Sequence, residues 1–168
     1  MDFSKFKTHD WLMIVGGLGM LIFGLALDWL KAGPFSAGNA FDFFFTGTIP
    51  WLLLVAVAVL VFLKVQGTLG NNLPWPLIFL GATALSVLLL LIRVLFNPGA
   101  GEGVGRGSGM YLSFVSAIVS LVGAFMAFQA EGGNVKDLTD MNKLKGSFNT
   151  GSGSSSSGDT PPPPPPAI

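Results

Sequence analysis

From Pro76 to Phe96 the chain reads PLIFLGATALSVLLLLIRVLF, with Arg93 as its one charged residue. A bilayer's hydrocarbon core is about 30 Å thick, and a helix crosses it with ~20 mostly apolar residues. This stretch meets that requirement. Three others resemble it, at residues 11–30, 49–64 and 110–130. No charge lies between Trp11 and Leu27, Phe43 and Leu63, Val65 and Ile92, or Gly107 and Ala130. The solvent for most of this chain is therefore lipid.

Composition supports the same reading. Of 168 residues, 51% are hydrophobic and 11% charged, whereas a soluble domain carries ~25% charged residues. Each charge at a helix centre costs at least ~2.5 kcal/mol in a bilayer, which accounts for the deficit. Lys+Arg and Asp+Glu balance at 9 each, so no basic face points to a nucleic-acid partner. The chain has no cysteine, which excludes disulfides, thiol nucleophiles and thiolate metal sites. His9 is the sole histidine, so a histidine-rich metal cluster is excluded as well. No metal and no cofactor is expected. The first apolar run exceeds the ~7–15 residues of a signal-peptide core. Asp28-Trp29-Leu30-Lys31 is also a poor cleavage region, so this run is expected to remain as a helix.

Loop residues separate the spans. Gly33-Pro34 and Pro50 bracket the first loop, which holds the aromatic run Phe41 to Phe45. Pro50 and Pro76 suit first helical turns, where a missing N–H costs little. Asp10 is expected to start the first helix as its N-cap. Asn97-Pro98-Gly99 should end the third, and Gly99 to Gly109 read as a flexible loop. Short connections make successive helices antiparallel. The predicted fold is an all-α membrane protein, a four-helix antiparallel transmembrane bundle. Residues 1–130 form the transmembrane domain, 131–146 a short amphipathic juxtamembrane segment, and 147–168 a disordered Ser/Gly linker with a polyproline tail.

Orientation follows from Lys and Arg near the helix ends. Lys5, Lys7, Lys64, Lys136, Lys143 and Lys145 fall on one side, against Lys31, Arg93 and Arg106 on the other. The bias places both termini in the cytoplasm.

Several segments also carry a resemblance. They are Pro74 to Ala84 (PWPLIFLGATA), Arg93 to Gly99 (RVLFNPG), Val104 to Gly107 (VGRG) and Lys136 to Asp140 (KDLTD) ahead of Pro161 to Pro166. Over residues 10–166 the chain resembles a group of small four-helix membrane proteins of actinobacteria and related bacteria. The resemblance implies a multi-pass protein of the bacterial plasma membrane. It implies no activity and transfers no catalytic residue.

Asp28 and Arg93 lie at the same end of the first and third spans, and both are costly in hydrocarbon. They are expected either to form an interfacial ion pair or to act separately, Arg93 snorkelling to headgroups and Asp28 marking the membrane edge. Ser113, Ser116, Ser120, Gly123 and Ala127 repeat at alternating spacings of three and four. Small residues on one helical face let backbones approach, so this is a helix-packing stripe. Gly16, Gly17, Gly19 and Gly24 form a related set in the first span. The stripe's sharper alternatives are a homo-oligomer seam and a polar pore lining. The Gly-x-Gly pattern after Gly99 lacks a preceding strand and carries no nucleotide-binding meaning. The aromatic run, with Trp29 and Trp51, belongs in the interfacial zone, and Trp75 at the opposite interface.

The proline run Pro161, Pro162, Pro163, Pro164, Pro165 and Pro166 is the strongest recognition candidate. Polyproline II is stiff and loses little entropy on docking into an aromatic groove. The bare alternative is a solubilising tail. An enzyme needs positioned acids, bases, nucleophiles or metal ligands. The spans offer too few, so no catalysis is expected. The expected function is a membrane scaffold or accessory subunit presenting its tail to a cytoplasmic protein. The alternative is a small oligomeric channel or transporter component.

Overall fold

A computed structural model of the protein describes residues 3–70, 73–97, 101, 103–133 and 146. Four long helices make up most of it. They are α1 (Thr8–Ala26), α2 (Ile49–Val65), α3 (Trp75–Phe96) and α4 (Ser108–Ala130). A small sheet joins them at one end, from β1 (Leu30–Ala32), β2 (Phe35–Gly38) and β3 (Gly105–Arg106).

The helices form a ring in which each packs against the next in sequence and α1 closes on α4. Ring order and short connections together make an antiparallel bundle. All four helical segments are long and apolar enough to cross a membrane. The second of these is longer than the sequence suggested. A π-helical turn over Phe44–Thr48 precedes Ile49, so the continuous helical segment is Phe44–Val65. Gly47 permits this turn, because a Cβ there would collide with the Ala40 carbonyl oxygen.

Helix ends follow local chemistry. Asp10 is not the N-cap of α1. It sits one turn in, where its carboxylate accepts the Lys7 backbone N–H at 2.9 Å and so satisfies one orphan donor of the helix start. Pro50 and Pro76 occupy the first turns of their helices. Asn97 ends α3 with a left-handed φ of 44°, a conformation Asn tolerates better than most residues.

The core has two layers. Near the start of α1 and the end of α4, Met13, Val57, Val61, Phe79, Ala124 and Phe128 pack together. Toward the sheet, Met20, Trp29, Leu54, Leu90, Met110 and Ala117 form the second layer. Leucines and valines on the outer surfaces, such as Val15, Leu52, Leu88 and Val115, are more than half or nearly half exposed, as a lipid-facing surface requires.

The sheet was not foreseen from sequence. β1 pairs antiparallel with β2 (Lys31 opposite Ser36, Ala32 opposite Phe35) and with β3 (Leu30 opposite Arg106, Lys31 opposite Gly105). Gly33 takes φ 63° in the two-residue turn before Pro34. A positive φ followed by a residue locked at negative φ suits a tight hairpin.

Candidate functional site

The sheet end of the bundle gathers most of the polar residues that sequence singled out. Its frame is built on backbone contacts. Gly107 N–H donates to the Trp29 carbonyl at 2.8 Å, and Gly109 N–H to the Asp28 carbonyl at 3.1 Å. A Cβ on Gly107 would run into the Asp28 carbonyl oxygen, and one on Gly109 into the Leu27 Cβ and carbonyl oxygen. The exit of α1 is thus bound to the entry of α4. Trp29 is fully buried beneath this junction, and its Nε1–H donates to the Phe23 carbonyl at 3.3 Å.

Arg93 is also fully buried, although it carries a charge. Its guanidinium carbon lies 3.3 Å from the centroid of the Phe43 ring. A guanidinium over an aromatic face meets the negative side of the ring quadrupole, worth about 2 kcal/mol or more when water is excluded. Of the two arrangements expected for Asp28 and Arg93, an ion pair or separate action, the described residues show no pair between them. Among the described residues the ion pairs are His9–Asp10 at 3.6 Å and Lys64–Glu131 at 2.8 Å. The reason is topological. Asp28 follows α1 into its junction with α4, while Arg93 on α3 turns under the segment that leads into α2.

Neighbouring groups finish the same end. Arg106 donates from Nη2 to the Leu95 carbonyl at 2.9 Å. It thereby satisfies a carbonyl in the last turn of α3, where a cation is favoured. Asn39 and Asp42 cap the short turn at Ala40–Asp42, with Asn39 N–H to Asp42 Oδ2 at 2.7 Å and Phe41 N–H to Asn39 Oδ1 at 2.9 Å. Phe41 meets Trp51 edge-on at 5.1 Å. Phe35, Phe44, Phe45 and Phe96 stand exposed around this end.

The stripe Ser113, Ser116, Ser120, Gly123 and Ala127 is buried along α4. A Cβ on Gly16 would lie 2.6 Å from Ser120 Cβ, and one on Gly123 would lie 2.8 Å from the His9 carbonyl oxygen and Leu12 Cβ. The stripe therefore lies within one chain, at the contact between α1 and α4. Gly19 approaches Ser116 in the same seam, and Gly17 opposes Ala58 and the Leu54 carbonyl on the α2 side. Ser113 and Ser120 hydroxyls are buried without a hydrogen-bond partner. Thr83 and Ser86 return their hydroxyls to carbonyls of α3, to Phe79 at 2.8 Å and Ala82 at 2.8 Å.

At the opposite end, Trp75 Nε1–H donates to the Gly70 carbonyl at 2.9 Å and its ring stacks on Phe79 at 5.8 Å. Lys64 holds Glu131, joining the last turn of α2 to the point where the chain leaves α4. The amphipathic segment expected at 131–146 and the tail Pro161–Pro166 lie outside the described residues, apart from 131–133 and 146. Among the described residues no three His, Cys, Asp or Glu side chains gather as metal ligands.

Phe43 is the functional neighbour that sequence reading missed. Its signal was present in the aromatic run beside an intramembrane arginine, but nothing in one dimension singled out one ring of the run. Fold and surface together define a multi-pass helical membrane protein. Comparison with family models, curated proteins and solved structures finds no match for the chain.

Proposed function

We propose that this protein is a non-enzymatic membrane scaffold or accessory subunit, with both termini in the cytoplasm of a bacterial cell and a proline-rich tail offered to a partner. One observation carries the reading. Small and polar span residues serve packing: Thr83 and Ser86 return their hydroxyls to their own helix, and Ser116 and Ser120 lie in the close seam facing Gly19 and Gly16. The bundle is a packed mount, and sequence-specific recognition falls to the tail. The test is co-purification from native membranes with the full chain and with a chain whose Pro161–Pro166 are replaced by Gly-Ser repeats. A partner recovered only with the prolines supports the reading. An identical set of partners from both chains sinks it.

A second reading, a small oligomeric channel, has one specific observation in its favour. Ser113 and Ser120 place unsatisfied hydroxyls inside the bundle, and polar groups in a lipid environment are held toward water-filled or protein interiors. Ion flux through liposomes containing the purified protein, abolished by Ser120→Ala, supports that reading instead.

A further inference from the structure

A groove of about 360 Å³ runs between α1 and α2 near the terminal end, lined by Phe6, Trp11, Ile14, Leu18, Val59 and Phe62. Its origin is the small pair at its base. Gly17 and Ala58 let the two backbones come close, and the bulkier side chains then stand apart on either side. Trp11, Leu18 and Val59 are each about half exposed, so the groove opens to the bundle's outer surface. Its lining is wholly apolar. Phe6 closes the terminal end, its ring 5.4 Å from Trp11 and 5.9 Å from Phe62.

Charge at that closed end is positive. Lys5 and Lys7 flank Phe6, and both are exposed. The nearby Asp10 carboxylate is occupied by the Lys7 backbone N–H and by His9. Lys64, at the end of α2, is held by Glu131. An apolar slot lying along two membrane spans, with cations at its interfacial end, matches the layout of one molecule: acyl chain in depth, anionic headgroup at the surface. We propose that this groove seats an acyl chain of an anionic phospholipid from the leaflet met by the terminal end, with Lys5 and Lys7 holding its phosphate. The site does not depend on the tail, and it stands or falls separately from the scaffold reading.

The test is native mass spectrometry of the full chain released from micelles doped with equal phosphatidylglycerol and phosphatidylcholine of identical chains. Wild type is expected to retain phosphatidylglycerol about tenfold over phosphatidylcholine, since each lysine near an anionic surface contributes several-fold. Val59→Trp and Leu18→Trp fill the groove from its exposed rim and are expected to lose both lipids while keeping the wild-type melting midpoint. The double variant Lys5→Gln, Lys7→Gln should retain the two lipids equally. Equal retention by wild type overturns the proposal, as does undiminished phosphatidylglycerol binding in both tryptophan variants. Because the chain lacks cysteine, Val59→Cys adds a further readout. Disulfide-linked pairs of copies forming through this position in liposomes would assign the groove to a second copy and overturn the lipid.

Discussion

Arg93 of α3 lies over the face of Phe43, guanidinium carbon to ring centroid 3.3 Å, with the arginine fully buried. The contact ties α3 to the segment that feeds α2, at a depth where a charge without compensation is expensive. Planarity matters here, because a guanidinium stacks on a ring while an ammonium does not present a flat face. A double-mutant cycle of Phe43→Leu and Arg93→Met in detergent should give a coupling energy of about 1–2 kcal/mol. Arg93→Lys should lose part of that coupling. A coupling within about 0.3 kcal/mol of zero would mean that the two residues are neighbours without being partners.

The seam between α1 and α4 allows a sharper comparison between two glycines. A Cβ on Gly16 would sit 2.7 Å from the Ser116 carbonyl oxygen, which is backbone and has no easy way to yield. A Cβ on Gly81, in the second turn of α3, would meet nothing within 4 Å. Gly16→Ala should therefore destabilise the bundle by about 1–3 kcal/mol, the usual cost of overpacking. Gly81→Ala should be neutral or stabilising by up to ~1 kcal/mol, because alanine is the better helix former. Chemical or thermal unfolding in one detergent measures both. Equal effects at the two positions would contradict the seam.

Ser120→Leu probes the same seam from the other helix. Ser120 is fully buried opposite Gly16, so a larger side chain must either push α1 away or leave its rotamer minimum. A loss of about 1–3 kcal/mol is expected. The melting midpoint is the readout, and an unchanged value would place Ser120 on an outer surface.

Lys64 and Glu131 meet at 2.8 Å, with side-chain exposures of 25% and 57%. An ion pair that open to solvent contributes about 0–1 kcal/mol. Glu131→Gln should thus cost no more than ~1 kcal/mol in low salt, and the difference from wild type should vanish near 1 M salt, where the Debye length is about 3 Å. A large loss that persists in high salt would show that Glu131 does more than pair with Lys64.

These expectations separate what one dimension reveals from what it does not. The spans were legible because lipid imposes a composition over ~20 residues, and the stretch from Val65 to Ile92 carries no charge at all. The stripe on α4 was legible because helical spacing turns a list of small residues into a face. The sheet was not. Leu30–Ala32 and Gly105–Arg106 are too short to show alternation, and their pairing depends on α1 and α4 bringing them together. The π-helical turn at Phe44–Thr48 was hidden for a related reason: Phe, Thr and Gly are weak helix formers, and tertiary contact of Gly47 with Ala40 sets the conformation there. Arg93 shows the same limit at the site. Charge complementarity suggested Asp28, whereas the fold delivered an aromatic face, and only the path of the chain decides between them.

That path also makes the orientation of the bundle testable. The described terminal end carries Lys5, Lys7 and Lys64, with Lys136, Lys143 and Lys145 following α4 in sequence, while the sheet end carries Lys31, Arg93 and Arg106. Arg93 is buried, which leaves Lys31 and Arg106 as the exposed cations among these three. Positive loops are retained in the cytoplasm, so the terminal end should face inward and the β1–β2 turn outward. A chain without native cysteine lets single positions report. Ala32→Cys, exposed at the hairpin, should react with a membrane-impermeant maleimide on intact cells, and Thr150→Cys only after permeabilisation. The reverse pattern would invert the bundle and place the proline tail outside the cell, ending the case for a cytoplasmic partner. Reaction of both positions from outside would contradict the three spans, α2 to α4, that lie between them.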